Sequence, residues 1–444
     1  MNAFAALRDA TPAERATRLA PFVLASLALV PLARGGFVAG LGTTVAFACL
    51  AVTQATPRLA ATTRLALSPA TQRLAWIAAF ALAWSALALL PLPASWRSLL
   101  APGAAALDAS LGRVDGWAPL SQDPAATRTA LLALALAAAL VAAVRQIAAK
   151  SDARRLLLGA VVVGGCIVGA LGIVETFLGR PLIHTDLPPH ARPFGPFANR
   201  NHAASLLVLA LPLALGFARD AARTPATRRS ARWILVTGLL TLALVVNGSR
   251  GGTLAAVAVL AFACALSRMR LLWKLALAGS VALAVVLPGN AWERRGDSTT
   301  LAERAQLVRD AVGMAGDSPL IGVGLGAFGA AYPPYQRVEK DLRFRHAESE
   351  PIELLVEGGV PLCALALAAF AVLVCVAART FRRARDATSA ALAASAVAIP
   401  LHACCDFPLR VPGVVLPGLL VLGSLLALHD RNCRDDAKLA EGAA

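Results

Sequence analysis

Tyrosine is almost missing from this chain, at 332 and 335 only, and aromatic residues make up 5% of it. A nucleic-acid interface of stacked bases needs more ring surface than that, although the net charge of +16 invites one. Charged residues are scarce as well, at 15% against about 25% in soluble domains. So little polar surface cannot cover a soluble globule of 444 residues. The eight cysteines form no CxxC spacing and no Cys/His metal pattern. Cys49, Cys166, Cys264, Cys363 and Cys375 lie inside apolar runs, Cys404 and Cys405 near the end of one and Cys433 in the tail, and all read as small buried hydrophobes. No Asp-x-Asp pair stands on the connectors, so a metal-dependent transferase is not expected. No metal site and no cofactor are predicted.

What the chain has is apolar length. Hydrophobic residues reach 58% and mean hydropathy is +0.66. A helix needs roughly 20 apolar residues to cross about 30 Å of hydrocarbon. That ruler predicts an all-α polytopic membrane protein with about twelve spans, at 19–33, 36–56, 74–93, 128–148, 155–178, 203–218, 231–247, 251–267, 271–288, 351–377, 387–404 and 411–429. The first follows Arg8, Arg15 and Arg18 and reads as a retained signal anchor. With the N-terminus inside, the termini and inner connectors carry 25 of the 42 lysines and arginines. Short basic loops stay cytoplasmic, so both termini are predicted inside and the long interval 290–350 outside. The organisation is nine helices over 1–289, the outer loop 290–350, three helices over 351–429, and a disordered tail at 430–444.

The unusual polar residues then fall on outer connectors. Arg192, Asn199, Arg200, Asn201 and His202 end the fifth, Ser249 and Arg250 form the seventh, Arg343, Arg345, His346 and Glu348 close the long loop, and Asp406 and Arg410 stand on the eleventh. Arg250 sits in Val-Asn-Gly-Ser-Arg-Gly-Gly with almost no loop around it, and a charge that close to the bilayer is kept chiefly where it pairs or acts. Asn199 caps the sixth helix, whose N-terminus would suit an anion. His346 is a candidate general base, since an imidazole titrates near neutral pH. Glu353 reads as complementing the helix dipole, and Glu357, one turn deeper, as able to orient an arginine. His184, Asp186 and His190 read as solvated loop residues.

The blocks RPFGPFANRNHAASLL, VVNGSRGGTLAAV, GDSPLIGVGLGAFGAAYPPYQ, RHAESEPIELLVEGGVPL and HACCDFPLRVPG follow in this order over roughly 180–420. Together they resemble the O-antigen ligase and polymerase superfamily. The resemblance implies a GT-C-like bacterial inner-membrane glycosyltransferase. Such an enzyme moves a glycan from undecaprenyl diphosphate to a glycan, lipid A core or protein acceptor on the periplasmic face. By motif, Arg192 and Arg250 match the family's diphosphate-binding arginines and His346 its loop base. Asn199, Asn201, Ser249, Arg343, Arg345 and Glu348 are the expected substrate-binding set. The usual His-Asn-Asp run is His-Ala-Glu-Ser here. The expected partners are the lipid-linked donor, the acceptor and the bilayer, with no nucleic acid. The alternative class is a transporter of lipid-linked saccharides, for which charges at the bilayer midplane are expected.

Overall fold

The computed structural model describes residues 25–27, 29, 66–110, 112, 116–187, 191–223, 227–267, 301–337 and 343–441. These form α1 (Pro69–Leu87), α2 (Ala94–Leu100), α3 (Pro102–Ser110), α4 (Pro124–Ile147), α5 (Ser151–Leu178), α6 (Arg200–Ala222) and α7 (Thr227–Asn247). Then come α8 (Arg250–Leu266), α9 (Leu301–Gly316), α10 (Phe328–Ala331), α11 (Glu350–Arg382), α12 (Ala387–Ala396), α13 (Ala398–Ala403) and α14 (Pro412–Glu441). Among the described residues the sheet is one antiparallel ribbon, β1 (Pro91–Pro93) on β2 (Trp117–Pro119). Among the described residues five helices, α4, α5, α6, α11 and α14, are long and apolar enough to cross a membrane. The expected spans at 36–56 and 271–288, and most of 19–33, lie outside the described residues.

Local chemistry sets the helix ends. Ser68, Asp123, Asn199, Ser249 and Asp386 each accept a hydrogen bond from a backbone N–H of the first turn of α1, α4, α6, α8 and α12. Gly179, left-handed at φ 66°, stops α5. Among the described residues the most buried of the long apolar helices is α6, with 78% of its most apolar stretch buried, enclosed by α5, α7 and α12. Glycines of α5 stand at its contacts with α6 and α7. A Cβ at Gly165 would stand 2.8 Å from that of Ala210, and one at Gly169 2.8 Å from that of Ala243. Small residues allow such close approach where the bilayer supplies no hydrophobic drive between helices.

Four expectations change. The third span ends as helix at Leu87, because Pro91 and Pro93 follow and the chain turns into β1. The run 387–404 is two helices broken at Val397, one residue ahead of the apolar stretch holding Pro400. The tail is helical to Glu441 rather than disordered: no Gly or Pro intervenes after Pro417, Gly418 and Gly423 until Gly442, and Asp430 is anchored. Of the described cysteines Cys264 is buried, whereas Cys375 and Cys404 are exposed.

The largest irregularity is in α11. Gly359 has φ 68° and ψ −172°, so the helix kinks there, two residues before Pro361. The freed backbone groups find partners in one loop and one side chain. Val323 N–H donates to Val356 O at 2.9 Å, Gly324 N–H to Glu357 O at 2.9 Å, and Val360 N–H to Pro319 O at 2.8 Å. Trp84 Nε1–H donates to Gly358 O at 2.9 Å. Gly322 must be glycine: φ is +71° and a Cβ would fall 2.4 Å from the Glu357 carbonyl carbon. The loop 319–326 is thereby docked into the kink and fixes where Glu357 stands.

Two polar clusters mark opposite ends of α1. At its start, Ser68 N–H and Thr71 Oγ1 donate to Asp430 Oδ1 at 3.1 and 2.7 Å, and Arg145 Nε donates to Asp430 Oδ2. At its far end Trp84 meets the kink, beside the start of α11. The Arg145–Asp430 pair is buried, with side chains 7% and 0% exposed. Removing one member strands the other charge, at a cost of about 3–5 kcal/mol. Asp430→Ala is therefore expected to lower the thermal midpoint of the detergent-purified protein by several degrees; an unchanged midpoint would show that the pair adds no net stability.

Candidate functional site

The site begins where two helix N-termini meet. Asn199 Oδ1 accepts from Asn201 N–H at 2.9 Å and so starts α6. Ser249 Oγ accepts from Gly252 N–H at 3.1 Å, starts α8, and donates to Asn201 Oδ1 at 2.8 Å. Asn247 Nδ2 donates to Arg200 O at 3.0 Å. The two positive helix ends are thus laced together. Arg250 is the first residue of α8 and is half-buried. Gly251 beside it is pressed against α13 and the following turn: a Cβ there would lie 2.9 Å from His402 Nε2 and 3.1 Å from Cys405 Sγ. Arg192 adjoins through its carbonyl, which accepts from Arg200 N–H at 2.9 Å, and its side chain is exposed.

The second part is the start of α11. Glu350, Glu353 and Glu357 lie at i, i+3 and i+7, on one helical face. Arg410, from the turn after α13, lies against all three. Its Nη2 donates to Glu357 Oε2 at 2.7 Å and lies 3.5 Å from Glu353 Oε1; its Nε donates to Glu350 Oε2 at 3.4 Å. Leu409 N–H donates to Glu350 Oε1 at 2.9 Å, and Phe328 N–H at the start of α10 to Glu357 Oε1 at 3.4 Å. His346 joins this group with Nδ1 2.8 Å from Glu353 Oε1. Its side chain is 30% exposed, that of Glu353 1%.

Phe407 connects the two parts. The His346 ring stacks on it, centroids 4.4 Å apart at 21°, and the His202 ring of α6 meets it edge-on at 4.8 Å. His202 Nε2 lies 3.9 Å from Asp406 Oδ1. His402 Nδ1 and Ser205 Oγ are 2.6 Å apart. Asp406 is fully buried, and neither of its oxygens has a hydrogen bond of good geometry. Burial, then the charge of Glu348, pushes its carboxyl up to about 8, against the pull of Phe407 N–H and Arg304. Burial also raises Glu348, which Arg304 and His346 partly offset. Arg304 Nη2 from α9 stands 3.2 Å from Glu348 Oε2. Glu348 has φ 56°, the one positive φ outside glycine among the described residues, and such strain collects at functional sites.

Of the residues named from sequence, Asn199, Asn201 and Ser249 are brought together and their polar atoms hold the scaffold. Ser249 itself is buried. His346, Glu348 and Arg250 border the same cluster. Arg343 and Arg345 are exposed, and among the described residues neither side chain is paired. The backbone of Arg345 packs on Gly329. Two readings change. Glu353 binds His346 as well as standing in the first turn of α11, and His184 is buried, its Nε2 2.8 Å from Pro196 O, rather than solvated. His190 lies outside the described residues. Phe407, His402 and Arg304 join the cluster without having been singled out. His202 and Arg410, two of the unusual polar residues of the outer connectors, stand within it, and Glu357, read as able to orient an arginine, holds Arg410.

These features define a helical protein with membrane-length helices and a buried carboxylate, histidine and arginine cluster where several helix N-termini converge. Residues 235–367 match the O-Antigen ligase family model. That match supports the O-antigen ligase/polymerase superfamily, the one the sequence blocks resemble, and with it a glycan-transferring membrane enzyme of the O-antigen ligase type. The matched interval contains Ser249, Arg250, His346, Glu353 and Glu357; Arg192, Asp406 and Arg410 lie beyond it. No curated protein matches the chain.

Asp406 generates a pH prediction. A carboxyl whose folded value is raised favours the folded state while it keeps its proton. Its contribution is complete below the ordinary value of 3.8 and is lost as pH rises through about 8. The thermal midpoint should therefore fall on the alkaline side, and Asp406→Asn should flatten that fall. Parallel curves for the two proteins would show that Asp406 is not the group responsible.

Proposed function

We propose that the protein moves a glycan from undecaprenyl diphosphate to an acceptor hydroxyl on the periplasmic side of the bacterial inner membrane, as an O-antigen ligase or a surface-polysaccharide polymerase. The observation that carries this reading is the convergence of the Arg250 helix start, the Asn201 helix start and the His346 loop on one cluster bridged by Phe407 and Gly251. A lipid diphosphate is already a good leaving group, so what the site must supply is positive charge for the phosphate oxygens. Arg250 and Arg192 suit that, since guanidinium forks match phosphate geometry and two helix N-termini add their dipoles. His346 takes the proton of the acceptor hydroxyl. Direct attack gives inversion at the anomeric carbon, and the arginines do the work that a metal would otherwise do.

The lipid portion has a place consistent with this. An apolar cavity of about 510 Å³ opens between α1 and α11, lined by Phe80, Trp84, Leu87, Pro361 and Leu365 among others. Pro361 is four residues beyond Glu357, just across the kink at Gly359. The site also lies at the end of α1 opposite Arg145, which the charge rule assigns to the inside. A transporter of lipid-linked saccharides would draw on the breaks at Gly359 and Val397. Against it, the glutamates occupy the first two turns of α11, not its middle.

Arg250→Ala is expected to lower transfer from a lipid diphosphate donor by about 100-fold or more, with normal amounts of protein in the membrane. Arg250→Lys should not restore it, because an ammonium cannot form the fork; near-native transfer by the lysine variant would argue against bidentate phosphate binding. In a chain freed of its own cysteines, Arg250→Cys and His346→Cys should both label from the periplasm, and labelling from opposite compartments would overturn the shared site.

A further inference from the structure

We propose that Glu353 is a positioning residue that fixes the tautomer of His346, leaving Nε2 as the nitrogen that takes the proton; this rests on the reading of His346 as the base. A carboxylate only accepts hydrogen bonds. With Nδ1 2.8 Å from Glu353 Oε1, the ring hydrogen sits on Nδ1 and the lone pair on Nε2. The carboxylate is itself held: Ala347 N–H donates to Oε2 at 3.0 Å, and Arg410 Nη2 stands 3.5 Å from Oε1. Phe407 fixes the plane of the ring from one face. The orienting group is therefore inside, and the ring it orients is the partly exposed member of the pair.

The chemistry closes on these atoms. As the acceptor oxygen bonds the anomeric carbon and the bond to the diphosphate breaks, the hydroxyl proton passes to Nε2. The imidazolium so formed lies against a carboxylate of opposite charge. The proton then leaves from the exposed side of the ring to solvent, and the base is restored.

Glu353→Gln keeps the shape and reverses the polarity. An amide has one accepting oxygen and one donating NH2. Ala347 N–H faces the Oε2 position at 3.0 Å and needs an oxygen there, which leaves the NH2 facing Nδ1. Arg410 favours the opposite placement, but from 3.5 Å and while bonded to Glu357 at 2.7 Å, so the Ala347 contact decides. Nδ1 must then accept, and Nε2 carries the hydrogen and cannot act as a base.

The test uses the full chain in lipid nanodiscs with ¹⁵N-labelled histidine, the His346 signals being those lost in His346→Gln. The parent should show hydrogen on Nδ1, and Glu353→Gln should show it on Nε2. In the same variant kcat should fall about 100-fold or more, as when tautomer control is lost in Asp–His–Ser sites, with KM little changed. Hydrogen on Nε2 in the parent, or an unchanged tautomer in the variant, would overturn the assignment of Glu353. A switched tautomer with full turnover would uphold Glu353 as the residue that orients the ring, and would instead overturn His346 as the base.

Discussion

One guanidinium holds the candidate site together. Arg410 faces Glu350, Glu353 and Glu357 with its side chain 18% exposed. Three carboxylates this close to one another would repel and be costly to bury without it. The charge-assisted bonds to Glu357 and Glu350 are directional, so Arg410 also fixes where the turn 404–411 lies against α11. That turn carries Asp406 and Phe407, and Phe407 carries the stack on His346. Loss of the guanidinium would therefore act on the imidazole by two routes, the freed Glu353 and the freed Phe407.

The arrangement needs α11 to be bent. In a straight helix the carbonyls of Val356, Glu357 and Gly358 would accept from the following turn. Here the kink at Gly359 gives them to Val323, Gly324 and Trp84. The glycine loop 319–326 is thus a structural part of the site, though its atoms are not chemical ones. It holds the first two turns of α11 in a direction set by hydrogen bonds rather than by packing alone. It also explains why Gly-Val-Gly-Leu-Gly stands ahead of the histidine: Gly322 and Gly324 occupy positive φ, with no room for a Cβ.

The helical, membrane-length character was legible in the sequence because it follows from run length and hydropathy, which each segment carries by itself. The spans at 128–148, 155–178 and 203–218 became α4, α5 and α6 with ends shifted by a few residues. The break at Val397 and the bend at Gly359 were not legible, since an apolar run looks the same whether the helix through it is continuous or broken. Asp430, where α14 outruns the expected span, reaches Arg145 across 285 residues. At the site, motif residues such as Arg250 and His346 were found because they are odd in their own neighbourhood. The Glu353 contact was not legible: a first-turn glutamate needs no partner to make sense, and His346 stands ahead of the helix, on the preceding loop. Arg410 meets Glu357 across 53 residues, a distance that no local pattern encodes.

The cluster contains Glu348, Glu350, Glu353, Glu357 and Asp406, a strange lining for the diphosphate site proposed above. Burial resolves the difficulty. Glu350, Glu353, Glu357 and Asp406 are each at most 3% exposed, and three of them are committed to Arg410. Their charge is spent inward. The arginines that stand further out are of the other sign: Arg192 is exposed, Arg250 half-buried, and Arg304 one-third exposed at the edge of Glu348. An anion approaching from solvent meets cations first, while the imidazole between the layers has a carboxylate behind it. That layering would meet the two opposed demands of the proposed reaction, a positive surface for phosphate and a negative partner for a base that must become positive, within one small volume.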